Sequence, residues 1–231
     1  MQFIRKEIRE YSALLDKIPT LLFTVLVLCV VAMNLLANKE LFRFQWVALD
    51  CGFVLSWIPF TIMDAVCRAY GGKAATRLSI LAIIINLLLF GIFKLVALTD
   101  GMWGAYYDTG MIEVNSALNA TIGGSSWIVI GSALAMSAST IVNSSINMLV
   151  ASFTKKDNYK AFAVRSFTST AIAQFTDNLV FALLVSIPLF GWNFIQALLC
   201  SIVAAIFELG MEVLASGAGF RISLKMRKKE E

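Results

Sequence analysis

Six apolar runs, each about as long as a bilayer is thick, divide this chain. They cover residues 18–36, 45–67, 78–98, 126–153, 161–188 and 193–215. A helix needs roughly 20 apolar residues to cross the hydrocarbon layer. In lipid every backbone N–H and C=O must be paired within the protein, which makes each run a helix. Only 15% of the residues are charged, against about a quarter in soluble domains. The sequence therefore predicts an all-α integral membrane protein with six transmembrane helices. Residues 1–17 form an amphipathic, interfacial N-terminal helix, residues 18–216 the six-span domain, and residues 217–231 a basic cytoplasmic tail.

The connections carry the topology. In the first segment Phe3, Ile4, Ile8, Tyr11, Leu14 and Leu15 share one helical face, as in a helix lying on the membrane surface. Pro19 then opens the first span, and Pro59 is expected to bend the second. Gly71-Gly72 marks a turn before the third. Residues 99–125 form the longest connection and hold Trp103, Tyr106 and Tyr107 but no Lys or Arg, as in an ordinary outer loop. Lys and Arg at successive ends number four, two, three, none, four, none and five. By the positive-inside rule this alternation places both termini in the cytoplasm of a multi-pass cell-membrane protein.

One stretch breaks the apolar pattern. Between Arg165 and Phe181 the fifth run carries Ser166, Thr170, Gln174 and Asp177, at spacings that put all four on one helical face. A carboxylate at the centre of a membrane helix costs roughly 2.5–3.5 kcal/mol, and a polar substrate or a proton is the usual reason to bear it. The fourth run echoes this stripe at an offset of 34 residues, with Ser132, Thr140, Asn143 and Asn147. Joined by a short turn, the two helices are antiparallel and their stripes can face across one cavity. The same Ser, Thr and Asn side chains can also be glue between helices, at about 0.6–2 kcal/mol per contact. Gln174 with Asp177 is the functional part of the stripe.

Other charges lie within the runs. Asp64 and Arg68 are four apart on the second and can pair on a helix. Glu208 and Glu212 are four apart on the sixth. Two such carboxylates cannot both carry charge easily in low dielectric, which suits proton coupling and also suits partnership with Arg68 or Arg77.

Several functions are excluded or disfavoured. The positive residues sit at span ends, so no nucleic-acid surface is expected. Histidine is absent, which removes the commonest metal ligand, and no cofactor or metal is expected. The four cysteines fall in or beside apolar runs without a CxxC and read as small buried hydrophobes. The chain has no GxxxxGK[ST] phosphate loop, HExxH, GxSxG or Cys/His set, so an enzyme is not expected.

The segment MDAVCRAYG from Met63, the GSALA segment of the fourth run and the STxxxQxxDxxxF pattern from Ser169 to Phe181 resemble the queuosine precursor transporter family, also known as the putative vitamin uptake transporter family. The resemblance implies an inner-membrane importer of deazaguanine precursors of the tRNA base queuosine. In such a site Asp177 would accept from the donors of a guanine-type edge, as carboxylates do in base readout. Asn143, Gln174 and Arg68 would serve its carbonyl and ring nitrogens, with Thr140, Thr170 and Asp64 alongside. Trp127, Phe175 or Phe181 would stack on the ring. Thr140 and Asn143 depart from the Gln-x-x-Asp of the resembled fourth span, leaving Asp177 without its acidic counterpart there.

Three readings stay open at the level of sequence. The first is a stand-alone importer, either a facilitator or proton-coupled through Glu208, Glu212 or Asp177. The second is a substrate-binding subunit of an energy-coupling-factor system that borrows an ATPase module. It is disfavoured because Ala32 and Ala37 are poorly spaced for docking. The third is a membrane enzyme or assembly protein. The expected partners are a small-molecule substrate and the lipid bilayer, with a homo-oligomer left open.

Overall fold

The computed structural model describes residues 2–99, 110, 112–123, 126–154 and 158–227. Their order is α1 (Gln2–Lys17), α2 (Thr20–Leu36), β1 (Glu40–Arg43), β2 (Ala48–Asp50), α3 (Phe53–Tyr70), α4 (Gly72–Val96), α5 (Ile112–Gly123), α6 (Ser126–Phe153) and α7 (Tyr159–Phe181). A π-helical turn (Ala182–Ser186), α8 (Ile187–Phe190) and α9 (Phe194–Arg227) follow. Each predicted apolar run contains one helix or most of one, and the chain is an all-α membrane protein. Among the described residues, four helices or helix pairs are long and apolar enough to cross a bilayer. Counted together, the bent pair α1–α2 reaches the same length and apolarity and brings the number to five. The sixth expected run is α3, which is 18 residues long and includes Asp64 and Arg68.

Three boundaries differ from the sequence reading. The second run was expected to begin at Gln45, but residues 40–50 form a two-stranded antiparallel hairpin and the helix starts at Phe53. Asp50 ends β2, and its Oδ1 accepts the Gly52 N–H at 2.7 Å and the Phe53 N–H at 3.3 Å, which stops the strand and opens α3. Part of the expected outer loop is helical, as α5, whereas Trp103, Tyr106 and Tyr107 lie outside the described residues. The last helix does not stop near residue 215 but runs on to Arg227.

α1 meets α2 at 109° across Ile18-Pro19, the geometry of a surface helix joined to a span. Arg77 on α4 holds α1 by ion pairs to Glu7, at 3.3 Å, and to Glu10. Leu14 and Leu15 pack on a core of Leu26, Val30, Val66 and Leu78. Gly71, at φ 86°, makes the predicted turn between α3 and α4, a conformation that glycine adopts without a Cβ clash. The helix continues through Pro59. Apolar side chains such as Leu88, Ile92, Ile206 and Leu214 are exposed, as a lipid-facing surface requires.

The antiparallel pair α6–α7 positions the polar interior. Ser139 meets Asp177 and Asn147 meets Ser169, so Asn143 and Gln174 lie at one level between those contacts. α3 and α9 close the other sides. At the far end of α7 the helix widens into the π turn just before Pro188, a residue with no N–H to give the carbonyl four positions back. That carbonyl belongs to Leu184, and Trp127 Nε1 of α6 donates to it at 2.7 Å.

Candidate functional site

Four carboxylates stand inside the bundle on three helices, and they sort into two levels. The upper level faces the hairpin end. There Asp177, half-buried, accepts one hydrogen bond, from Ser139 Oγ at 2.9 Å. Glu208 accepts from Asn178 Nδ2 at 2.9 Å and from Ser56 Oγ. The lower level is sealed: Asp64 and Glu212 are each 0% exposed. Asp64 accepts from Asn143 Nδ2 at 2.8 Å, Asn147 Nδ2 at 3.4 Å, Thr170 Oγ1 at 3.0 Å and Ser166 Oγ. Glu212 contacts Thr61 Oγ1 at 2.5 Å and Ser166 Oγ at 2.9 Å. Among the described residues, none of the four forms an ion pair.

The expected Asp64–Arg68 pair therefore does not form. Arg68 donates to Ser223 Oγ at 2.6 Å and lies over Phe220, 4.5 Å from its ring centre. One turn of α3 separates the two residues, and the bundle gives Asp64 hydroxyl and amide donors instead. Arg77 likewise joins α1, so neither arginine is the partner of Glu208 or Glu212.

The two polar stripes do come together, but α3 reaches between them. Asn143 and Asn147 from α6 and Ser166 and Thr170 from α7 converge on Asp64. Asp64 is thus the acid beside Asn143, a neighbour from another helix that the 34-residue echo could not reveal. A second carboxylate at position 143 would repel it, whereas the Asn143 amide donates to it. Thr140 instead turns to α4, donating to Ser79 Oγ at 3.2 Å.

Gln174 is different in kind. It is 0% exposed, and neither its Oε1 nor its Nε2 has a hydrogen-bond partner. Asn143 Oδ1, at the same level, is also unpartnered. Buried amide groups left unpaired cost about 1–3 kcal/mol each, so each calls for a partner, whether a water, an ion or a ligand.

A chain of three cavities leads from the hairpin end toward this level and stops short of it, since neither Gln174 nor Asn143 lines any of them. The largest, about 310 Å³, lies at the hairpin end between Arg43, Asp50, Phe181, Trp192 and Ser201. A second, about 80 Å³, shares Asp50 and Phe181 with it and adds Ser132, Asp177 and Glu208. A third, about 30 Å³, shares Ser132 and Asp177 and ends at Ser139 and Thr140. Burial pushes the Asp50 carboxyl at the cavity wall above its ordinary range. Of the three aromatic residues expected to stack, Phe181 lines the cavity. Trp127 is half-exposed and bound to the π turn. Trp192 and Phe190, also in the wall, had no sequence signal beyond their place near Gly191.

The family model described as putative vitamin uptake transporter matches residues 50–217. The chain belongs to this family. The match runs from the end of β2 into α9 and takes in all four carboxylates inside the bundle. No curated protein and no solved structure matches the chain. The three connected cavities lie toward the hairpin end, and a separate open depression of about 460 Å³ lies at the other end, between α1, Tyr70, Lys73 and Arg77.

Proposed function

We propose that this vitamin uptake transporter family member imports a deazaguanine-type base, a queuosine precursor, across the bacterial inner membrane, with both termini in the cytoplasm. The observation that carries the reading is the unpaired amide of Gln174 at the level of the unpaired Asn143 Oδ1, one turn below Asp177, which lines the inner cavities. A guanine-type edge presents adjacent N–H donors and a carbonyl. Asp177 and Asn143 Oδ1 are acceptors for the donors, and Gln174 Nε2 is a donor for the carbonyl. Phe181 and Trp192 supply apolar ring faces at the entrance. A cavity of about 310 Å³ falls at the small end of ligand pockets, which span roughly 300–1,000 Å³.

Uptake of a radiolabelled deazaguanine by cells that express the chain tests this. Asp177→Ala and Asp177→Asn should each lower uptake by at least about tenfold, the effect of losing about 1.4 kcal/mol of binding, with membrane levels unchanged. Normal uptake by both variants would overturn the reading. Uptake in a host that has no coupling-factor ATPase separates the stand-alone importer from the energy-coupling-factor subunit.

A further inference from the structure

Glu212 has a hydrogen-bonding environment that does not close without an added proton. Its Oε2 faces Thr61 Oγ1, and its Oε1 faces Ser166 Oγ. Ser166 Oγ also contacts Asp64 Oδ2. A hydroxyl has one hydrogen to donate, so Ser166 cannot serve both carboxylates. Asp64 is built as the acceptor, with three further donors in Asn143, Asn147 and Thr170. With one hydrogen on Glu212 Oε1, Ser166 accepts from Glu212 and donates to Asp64, and Thr61 gives its hydrogen to Glu212 Oε2, the nearer of its two acceptors, rather than to the Trp57 carbonyl at 3.2 Å. Every contact of the pair is then a hydrogen bond.

We propose that Asp64, Ser166 and Glu212 form the site that carries the proton driving import, with Ser166 as the bridge between the two carboxylates. The proposal rests on the import reading for its substrate. The transfer step balances. The Glu212 O–H bond breaks as its hydrogen moves to Ser166 Oγ, and the Ser166 O–H bond breaks as its own hydrogen moves to Asp64 Oδ2. Negative charge passes from Asp64 to Glu212, and the hydroxyl is regenerated.

A separate observation ties this site to a ligand. Asn143 is 1% exposed, holds Asp64 through Nδ2, and leaves Oδ1 unpartnered. A ligand N–H that engages Oδ1 reorients the same amide that stabilises Asp64, and so changes where the proton is best held.

The other charged and titratable groups around the pair are few. α3 brings Cys67 and Arg68, the latter bound to Ser223. α7 brings Arg165, which donates to the Ala161 carbonyl at 3.3 Å, and Tyr159, whose hydroxyl meets Ser216 at 2.8 Å. α9 adds Glu208 one turn away. α6 offers only neutral groups, and at the same end of α4 Lys73 is exposed and Arg77 is held by α1.

The test uses the full chain in proteoliposomes with tritiated 7-deazaguanine. A gradient of about one pH unit, acid outside, should drive up to about tenfold accumulation for one proton per substrate. Glu212→Gln retains a donor for Ser166 and should keep counterflow at equal pH but lose gradient-driven accumulation. Accumulation by this variant at the wild-type level, or accumulation driven by a sodium gradient and not by pH, overturns the proposal. Infrared difference spectra without substrate give an independent reading. A protonated-carboxyl band should be present in the wild type, missing in Glu212→Gln and shifted in Ser166→Ala, which also serves if Glu212→Gln fails to fold. The band without deazaguanine transport would sink the import reading alone. Transport with the band unchanged in both variants would sink the proton site alone.

Discussion

The two levels of carboxylates are chemically alike and structurally opposite. At the lower level Asp64 is sealed and holds four donors from two other helices. At the upper level Asp177 holds one, from Ser139, and lines two cavities. A carboxylate whose lone pairs are filled by protein is part of the framework and can exchange little but a proton. One whose lone pairs are mostly free, beside an open cavity, can accept from a ligand. The comparison assigns stability to the lower level and recognition to the upper one.

Asp64→Ala should break this division most strongly. It removes an acceptor from Asn143, Asn147, Ser166 and Thr170 at once; Asn147 keeps Ser169 and Ser166 keeps Glu212, but Asn143 Nδ2 and Thr170 Oγ1 are orphaned, and each buried unsatisfied group costs about 1–3 kcal/mol. A loss of more than about 3 kcal/mol is expected, read as a steep fall in thermal stability in detergent and in membrane levels. Asp177→Ala frees only the Ser139 hydroxyl, so its melting temperature should stay close to wild type while uptake falls. Equal destabilisation by the two variants would erase the distinction between levels.

Much of this was legible in residue order, and the remainder was not for identifiable reasons. Apolar runs of about 20 residues specify helices because lipid leaves the backbone no other partner, so α2, α4, α6 and α7 fell where expected. The hairpin was missed because Gln45–Cys51 continues the apolar run, and the turn that Asp50 makes by accepting the Gly52 and Phe53 N–H groups leaves no mark in hydropathy. The stripes on α6 and α7 were visible as a period. Their convergence on Asp64 was not, because spacing within a helix cannot say which third helix intervenes. The i,i+4 rule misled at Arg68 for the same reason: it ranks local neighbours and knows nothing of Ser223, 155 positions away.

Gln174 offers a sharper test, since it lies between the levels. Its amide is buried without a partner, so the native fold bears a desolvation cost with no return inside the protein. Gln174→Leu removes that cost at similar volume. Stability should be unchanged or rise by up to about 1–2 kcal/mol, while deazaguanine uptake falls. Such a split, gain of stability with loss of function, is the signature of a group kept for a ligand. A clear loss of stability would instead show that Gln174 is paired within the resting protein and belongs with the framework.

The smallest expected effect concerns the frame of the cavity. Ala182 and Ser186 of the π turn line its wall, and the turn is held against α6 in two ways. A side-chain carbon at Gly131 would stand 2.3 Å from Val185 Cγ2, so glycine permits the close approach. Trp127 then supplies the hydrogen bond that Pro188 cannot give to the Leu184 carbonyl. Trp127→Phe keeps the ring and deletes the donor. Trp127 is 52% exposed, and a single such hydrogen bond contributes about 0.5–1.5 kcal/mol. Stability should fall by about that amount. Because the turn borders the entrance and not Asp177 itself, the apparent affinity for the base should weaken by less than about tenfold. Loss of transport as complete as in Asp177→Ala would move the recognition centre from the carboxylate to the cavity wall.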